Sequence, residues 1–333
     1  YSARSNKTLP PLWTSFALPF TQFDPNSSSS FNWVDETPVD LDFGEWGSLT
    51  AKVGNDTFFK DFQHAGANMD FYLGIEYRGL QWAELIQDGF IACGPTHEGS
   101  TSGLLFKTLW DAGRLSEPVI SFNCDYTVDG YLTDSGEVRF GGTDTTAYDP
   151  QTVVSFPQNQ SSPFNAYWVS DCRDMKVNGV SITGSYEALL DTGAGTIKGD
   201  PAKIQALVAA ITLDGALPIS PDNPDNYNYP DLVIEMGTFD ADGSEASFAL
   251  TPREYFQYIE AEVGIGTWYL GLEELDGFDG GINIGAIFFN SYYSMWEYDT
   301  STSNLQGNAV KVAQKIGSKK RISRILKSKK TSD

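Results

Sequence analysis

Apolar and polar residues alternate in short runs along most of the chain, and turn-forming residues separate these runs. Because successive side chains on a strand point to opposite faces, this period of two predicts half-buried β-strands. Residues 38–53 show it on both sides of Gly44, which predicts a hairpin. Residues 176–182 predict a second hairpin, since Asn178-Gly179 favours a two-residue turn.

Two stretches have the helical period instead. Residues 104–113 predict one helix, with Gly113 just past its end. Residues 200–211 predict another, in which Asp200 suits the N-cap and Pro201 the first turn. The apolar face of the second helix consists of Ile204, Leu207, Val208 and Ile211. Strands therefore dominate the prediction, with few helices between them.

One apolar run, Ala188-Leu189-Leu190, leads into the turn Asp191-Thr192-Gly193. A buried strand that ends on a carboxylate is costly unless the carboxylate is hydrogen-bonded or used. Thr192 and Gly193 offer a hydroxyl and backbone N–H groups that can hold it. The tripeptide by itself is typical of a surface turn, but the apolar run before it and the helix after it favour a functional loop.

This stretch resembles the active-site loop in the C-terminal lobe of pepsin-like aspartic proteases, and further matches follow in that family's order. Residues 23–31 are similar to the turn before the family's flap, and residues 38–53 are similar to the flap hairpin itself. Residues 87–94 and 135–144 are similar to later strands of the first lobe. Residues 281–296 resemble the closing motif, with Ala286 where the family has Asp.

The resemblance implies an all-β, bilobal fold of orthogonally packed sheets with a cleft between the lobes. The N-terminal lobe would span residues 1–160, without its first strands, and the C-terminal lobe residues 165–314. Asp191 would be one of two catalytic carboxylates, in a loop with Thr192, Gly193 and Ala194. The substrate, a peptide or protein in the cleft, would be covered by four flap residues: Phe43, Gly44, Trp46 and Gly47. Phe43 aligns with the family's flap Tyr. For Trp46, a role at the tip of the flap and packing against its own lobe are equally good interpretations.

The other half of the catalytic pair is missing from this sequence. The family's first loop would fall near residues 5–11, and no acidic residue precedes Asp24. Either a segment outside this chain, such as a companion segment at the N-terminus, supplies the second Asp, or the protein is a diverged member without the pair. The intact Asp191 loop and a start without Met favour the first alternative. The second is favoured by three departures, Phe43, Ala286 and Ala194, although active relatives also use Ala at the last position.

The leading hypothesis is thus a pepsin-like aspartic endopeptidase whose first Asp comes from a segment absent here. The alternative is a catalytically inactive pepsin-fold protein that binds peptides or proteins or serves as a structural component. A dimer that shares one Asp per chain is disfavoured, because this chain already carries most of two lobes.

Charge changes this picture at the end of the chain. Residues 311–333 carry nine of the 22 Lys and Arg and one of the 44 acidic residues, whereas the rest carries 13 basic and 43 acidic residues, a net charge of −30. The strongly negative charge of residues 1–310 argues against nucleic-acid binding. Residues 315–333 predict a disordered basic tail. The sharper alternative is a tail that docks on the acidic body or on anionic lipid.

The remaining chemistry excludes more than it identifies. With only two His and no Cys-x-x-Cys, we expect no metal, no cofactor and no Ser-His or Cys-His triad. Cys93, Cys124 and Cys172 are too few for a disulfide scaffold. No apolar run reaches the ~18 residues of a membrane span. Four glycosylation candidates, Asn6, Asn26, Asn55 and Asn159, favour a secreted protein or one in an endomembrane or vacuolar lumen.

Overall fold

A computed structural model of the chain describes residues 23–43, 47–58, 67–79, 89–95, 105–126, 132–237, 245–262, 265–301, 305–318 and 322–325. These residues fold mainly into strands, which confirms the predicted all-β class. The chain divides into two compact units. Unit 1 contains residues 1–93 and 98–115, and unit 2 contains residues 94–97 and 116–333.

Unit 1 is built on one antiparallel sheet of three long strands. They are β1 (Asn32–Asp42), β2 (Ser48–Phe58) and β3 (Ala67–Arg78), in that order across the sheet. The hairpin predicted at residues 38–53 lies within β1 and β2, where Asp42 pairs with Ser48. A short helix, α1 (Leu105–Asp111), belongs to the same unit, and Gly113 follows it at a φ of +64°. The C-terminal glycine of this helix was predicted from the sequence.

Unit 2 contains the remaining elements. Its strands are β4 (Val119–Tyr126), β5 (Leu132–Phe140), β6 (Val154–Pro157), β7 (Val169–Val177), β8 (Val180–Ser181), β9 (Tyr186–Leu190), β10 (Ile197–Gly199), β11 (Leu232–Gly237), β12 (Glu245–Leu250), β13 (Phe256–Glu262), β14 (Ile265–Leu270), β15 (Leu272–Glu274), β16 (Gly281–Ile284), β17 (Tyr293–Asp299), β18 (Gln306–Ala313) and β19 (Ser323–Ile325). Its helices are α2 (Pro201–Ile211), α3 (Pro252–Tyr255) and α4 (Ala286–Phe289).

The larger sheet of unit 2 positions the candidate site. Its strand order is β15-β10-β16-β9-β7-β11-β12-β19, and β8 pairs with β7. The hairpin of β7 and β8 turns at Asn178-Gly179, where both residues have positive φ, as the sequence predicts. Strands β9 and β16 are parallel to each other and central in the sheet, and along β9 buried residues alternate with half-buried ones. In the apolar run before Asp191, Ala188 and Leu190 are buried, and Leu189 between them is half-buried.

Helix α2 forms where the sequence predicts it. The Asp200 side chain caps the helix by accepting the backbone N–H groups of Ala202 and Lys203, and Pro201 occupies the first turn. The apolar face buries Ile204, Leu207 and Ile211. Because Asp200 follows β10 directly, this cap fixes the point where the chain leaves the sheet.

A second sheet of unit 2 has the order β5-β4-β17-β18-β6. It joins residues 119–140 to the closing strands at residues 293–313, and buried Tyr293 and Met295 pack against Val119. The boundary between the two units therefore falls near residue 115, whereas the lobe boundary predicted from the linker lies near residue 160. The lobe limits themselves stay a prediction.

Two pieces of the predicted basic tail, residues 315–318 and 322–325, lie in the described part of the chain, and disorder of the tail stays a prediction. The backbone of Lys315 forms an isolated antiparallel β-bridge with that of Tyr148. The Nζ of Lys315 donates to the carbonyl oxygens of Cys124 and Asn290. Strand β19 adds to the edge of the larger sheet by pairing with β12. Unpaired N–H and C=O groups at a sheet edge accept another strand readily. Among the described residues, no helix is long and apolar enough to cross a membrane.

Candidate active site

Asp191 stands at the carboxyl end of a buried central strand. Leu190, the last residue of β9, pairs with Ile284 of β16 and donates its N–H to the carbonyl of Trp168. Asp191 itself donates its backbone N–H to the carbonyl of Ile284 at 3.1 Å. Since β9 and β16 are parallel, both strands end at the same edge of the sheet. The loops that follow them meet there.

Both oxygens of the half-buried Asp191 carboxylate accept hydrogen bonds. The backbone N–H of Gly193 donates to Oδ1 at 2.8 Å, and Nδ2 of Asn283 donates to Oδ2 at 3.2 Å. A carboxylate has about four lone-pair positions, so roughly half of them are left for a water or a substrate. Two donors, one on each oxygen, hold the plane of the carboxylate in one orientation.

The loop after Asp191 is tied to distant parts of unit 2. The carbonyl of Ala194 accepts the backbone N–H of Ala286 at 2.6 Å, and the carbonyl of Gly195 accepts Nε2 of Gln257 at 2.7 Å. A Cβ added to Gly285 would lie 2.0 Å from the carbonyl oxygen of Thr196. The segment after β16 therefore packs backbone to backbone against the Asp191 loop, and only glycine allows that approach.

The predicted loop residues fall around this carboxylate. Thr192 and Gly193 form the turn, and Gly193 supplies one of the two donors. Ala194 contributes backbone groups, because its N–H donates to the carbonyl of Asp191. Asn283 was not among the predicted site residues. The signal that could have found it is a single polar residue between Ile282 and Ile284, inside a run that otherwise reads as a buried strand.

The predicted flap residues belong to unit 1. The N–H of Phe43 donates to the carbonyl of Gly47 at 2.9 Å, which closes the end of the β1–β2 hairpin, and the Phe43 side chain is 43% exposed. Gly47 has a φ of +95°. Gly44 and Trp46 lie outside the described residues. The role of this hairpin as a flap stays a prediction.

Two charged groups near the site form an ion pair, and a third accepts backbone hydrogen bonds. Lys198 of β10 pairs with Glu273 of β15 at 2.7 Å. The backbone N–H of Gly280, followed by those of Lys203 and Ala202, holds the pKa of Asp200 below its usual value. The described residues contain no group of three or more His, Cys, Asp or Glu side chains that could hold a metal ion.

The glycosylation candidates differ in how their amides are used. Nδ2 of Asn159 donates to two carboxylates, Asp171 and Glu187, both at 3.2 Å. Nδ2 of Asn55 donates to Asp70, and that of the exposed Asn26 to Asp24. A glycan replaces one amide hydrogen, so Asn159 would lose one of its carboxylate contacts. Asn6 lies outside the described residues, and all four sites stay predictions.

Chemically, this arrangement presents one oriented carboxylate that can accept a proton from a water. A second group is needed to polarise a carbonyl at the same time.

A family model described as eukaryotic aspartyl protease matches residues 17–307, a segment that includes Asp191, Asn283 and the β1–β2 hairpin. No curated protein matches the chain significantly.

Proposed function

Because the chain belongs to the eukaryotic aspartyl protease family, we propose that it is a pepsin-like aspartic endopeptidase in which Asp191 supplies one catalytic carboxylate. The observation that carries the proposal is the Asp191 carboxylate itself. It ends a buried strand, is half-buried, and is oriented by the Gly193 N–H and the Asn283 amide. These two donors leave about half of the lone-pair positions of the carboxylate for a water, which a general base needs to reach.

In the proposed mechanism, a second carboxylate from a segment outside this sequence shares one proton with Asp191. Two carboxyl groups in contact cannot both ionise, so one acts as base and the other as acid. The ionised group takes a proton from the attacking water, and the protonated group donates to the carbonyl oxygen of the peptide bond. The pair then returns the proton to the leaving amine.

The family acts on peptides, and we propose an extended peptide or protein as the substrate here. In this proposal Phe43, Gly44, Trp46 and Gly47 cover the bound chain as a flap. The proposed location is the secretory route, either outside the cell or in an endomembrane or vacuolar lumen. The acidic composition of residues 1–310 supports an acidic compartment, where protonation removes much of the negative charge.

The test uses the natural protein with whatever segments it carries. Intact mass and peptide mapping would show whether a segment with a second Asp-Thr-Gly or Asp-Ser-Gly accompanies this chain. Cleavage of quenched peptide pools is then measured from acidic to neutral pH, with and without pepstatin. We expect pepstatin-sensitive cleavage in acid that Asp191→Asn abolishes.

The matched control is Asp276→Asn, which removes an exposed carboxylate elsewhere in unit 2 and should leave cleavage unchanged. Peptide binding without cleavage, unaffected by Asp191→Asn, would overturn the proposal. That result would instead identify a binding or structural protein built on the same fold.

A further inference from the structure

Asn283 is an unusual residue for its position. It lies in the central strand β16 between Ile282 and Ile284, which are both fully buried, and asparagine is disfavoured in strands. Its Nδ2 donates to Oδ2 of Asp191, while its Oδ1 is buried and has no hydrogen-bond partner among the described residues. An apolar residue would fill the same place without a buried acceptor left unsatisfied. Asn283 therefore reduces the stability of the sheet at this position.

The strand leaves Asn283 little freedom. β16 is hydrogen-bonded on both sides, with Asn283 opposite Leu189 of β9 and opposite Lys198 of β10. The amide could in principle be turned over, but Oδ1 would then face the Asp191 carboxylate oxygen, and two acceptors repel. The carboxylate thus selects the orientation in which the N–H points at it.

We propose that Asn283 is a positioning residue for Asp191, a role that rests on the proposed function. Its N–H fixes Oδ2, as the backbone N–H of Gly193 fixes Oδ1. With both oxygens held, the carboxylate cannot rotate about its χ2 angle, and its remaining lone pairs keep one direction. The unsatisfied Oδ1 is the structural cost of this orientation.

The first test is Asn283→Val, which keeps a strand-compatible shape and removes both polar atoms. A hydrogen bond to a charged group is lost, so we expect turnover to fall roughly 10- to 100-fold with little change in KM. The urea midpoint of unfolding should stay the same or rise. The control is Asn308→Val, an exposed position in strand β18, which should change neither quantity. A residue with a purely structural role would instead lower the midpoint, and that outcome would overturn the proposal.

The second test is Asn283→Asp, because a carboxyl group donates to Oδ2 only while it is protonated. We expect this variant to retain cleavage in acid and to lose it at a lower pH than the wild type does. Besides Asp191, four titratable groups lie on nearby strands at this face of the sheet: Glu187 on β9, Asp171 on β7, Lys198 on β10 and Glu273 on β15. Lys198 and Glu273 neutralise each other as an ion pair. An unchanged pH profile would contradict the proposed donor.

A mutant cycle separates failure of this inference from failure of the proposed function. Urea midpoints are measured for the wild type, Asn283→Val, Asp191→Asn and the double variant, none of which requires activity. If the two effects add, the side chains are not coupled and the inference is overturned. If the effects of the two substitutions are coupled but the wild type cleaves no peptide, the proposed function is overturned. The contact between Asn283 and Asp191 is then still supported. Coupling together with the loss of turnover supports both.

Discussion

The β1–β2 hairpin and the Asp191 loop both carry residues of the proposed site, yet they are held in opposite ways. The hairpin closes on itself, with Asp42 opposite Ser48 and the N–H of Phe43 on the carbonyl of Gly47. The Asp191 loop depends on distant chain segments, since Gln257 lies 62 residues from Gly195 and Asn283 lies 92 residues from Asp191. Local contacts thus shape the proposed cover, and long-range contacts shape the proposed chemistry.

This difference matters for how each region responds to damage. A hairpin built from neighbours in sequence can distort at its end while the rest of the protein stays folded. A loop at the ends of two parallel strands cannot change without disturbing the packing of the sheet beneath it. Each unit contains one glycine and one carboxylate whose substitution tests this difference between local and long-range contacts.

The largest effect is expected from Gly285→Ala in unit 2. The new Cβ would lie 2.0 Å from the carbonyl oxygen of Thr196 and 2.6 Å from that of Ala194, and neither backbone atom can move without displacing the Asp191 loop. Forcing an extra carbon into such a contact should lower the free energy of unfolding of unit 2 by about 3 kcal/mol. Turnover of the active protein should be lost as well. Native-state hydrogen exchange of the amides of β9 and β16, which lie in unit 2, measures the first quantity.

Gly142→Ala is the control for that change, because a Cβ at Gly142 would meet nothing within 4 Å. We expect it to alter the stability of unit 2 by only a few tenths of a kcal/mol. Equal losses for both variants would mean that backbone freedom matters more than the close contact at the loop.

A smaller and more local effect is expected from Gly47→Ala in unit 1. This residue has a φ of +95°, and a Cβ there would lie 2.0 Å from the carbonyl oxygen of Arg78. A side chain in this backbone region costs about 1–2 kcal/mol, and the hairpin end can bend to relieve the contact. Hydrogen exchange should become faster for amides of β1 and β2 and stay unchanged in β9 and β16. Faster exchange in β9 would break the contrast between the two regions.

The smallest effect concerns acid stability. The Gly280 N–H, then those of Lys203 and Ala202, holds the pKa of Asp200 below its usual value. A carboxyl whose pKa is lower in the folded state stabilises the fold above its unfolded value of about 4, and that contribution disappears as the pH falls through the folded value. Asp200→Asn keeps an oxygen acceptor but cannot ionise. The urea midpoint of unit 2 should therefore fall less between neutral and acidic pH in this variant.

Asp35→Asn in unit 1 is the matched comparison. The pKa of Asp35 is also lowered, first by the backbone N–H of Thr37, which is only two residues away. Because this contact is local, its loss should leave the acid response of unit 2 as in the wild type. A change in unit 2 of the size that Asp200→Asn produces would show that the two units unfold together.

Several local features were predictable because short-range chemistry determines them. The Asn178-Gly179 turn, the cap at Asp200 and the glycine after α1 each depend on residues a few positions apart. The strand that ends at Asp191 was visible as an apolar run followed by a tight turn. The order of the matched segments along the chain was enough to indicate the family.

Other features were out of reach because they depend on which strands become neighbours. The alternating pattern of residues 119–140 predicts strands but not their pairing with residues 293–313 in one sheet. The basic composition of the tail does not indicate that Ser323–Ile325 pairs with the edge of β12. Strand addition of this kind uses backbone groups, which every sequence possesses, so composition cannot reveal it.

The sequence by itself determined the all-β class, the position of helix α2 and the placement of Asp191 at the end of a buried strand. Periodicity and turn chemistry act over a few residues, and they are sufficient for these features. Tertiary structure alone decided which groups face the Asp191 carboxylate. The parallel register of β9 and β16 brings Asn283 to Oδ2, and that register is set by burial across the whole sheet.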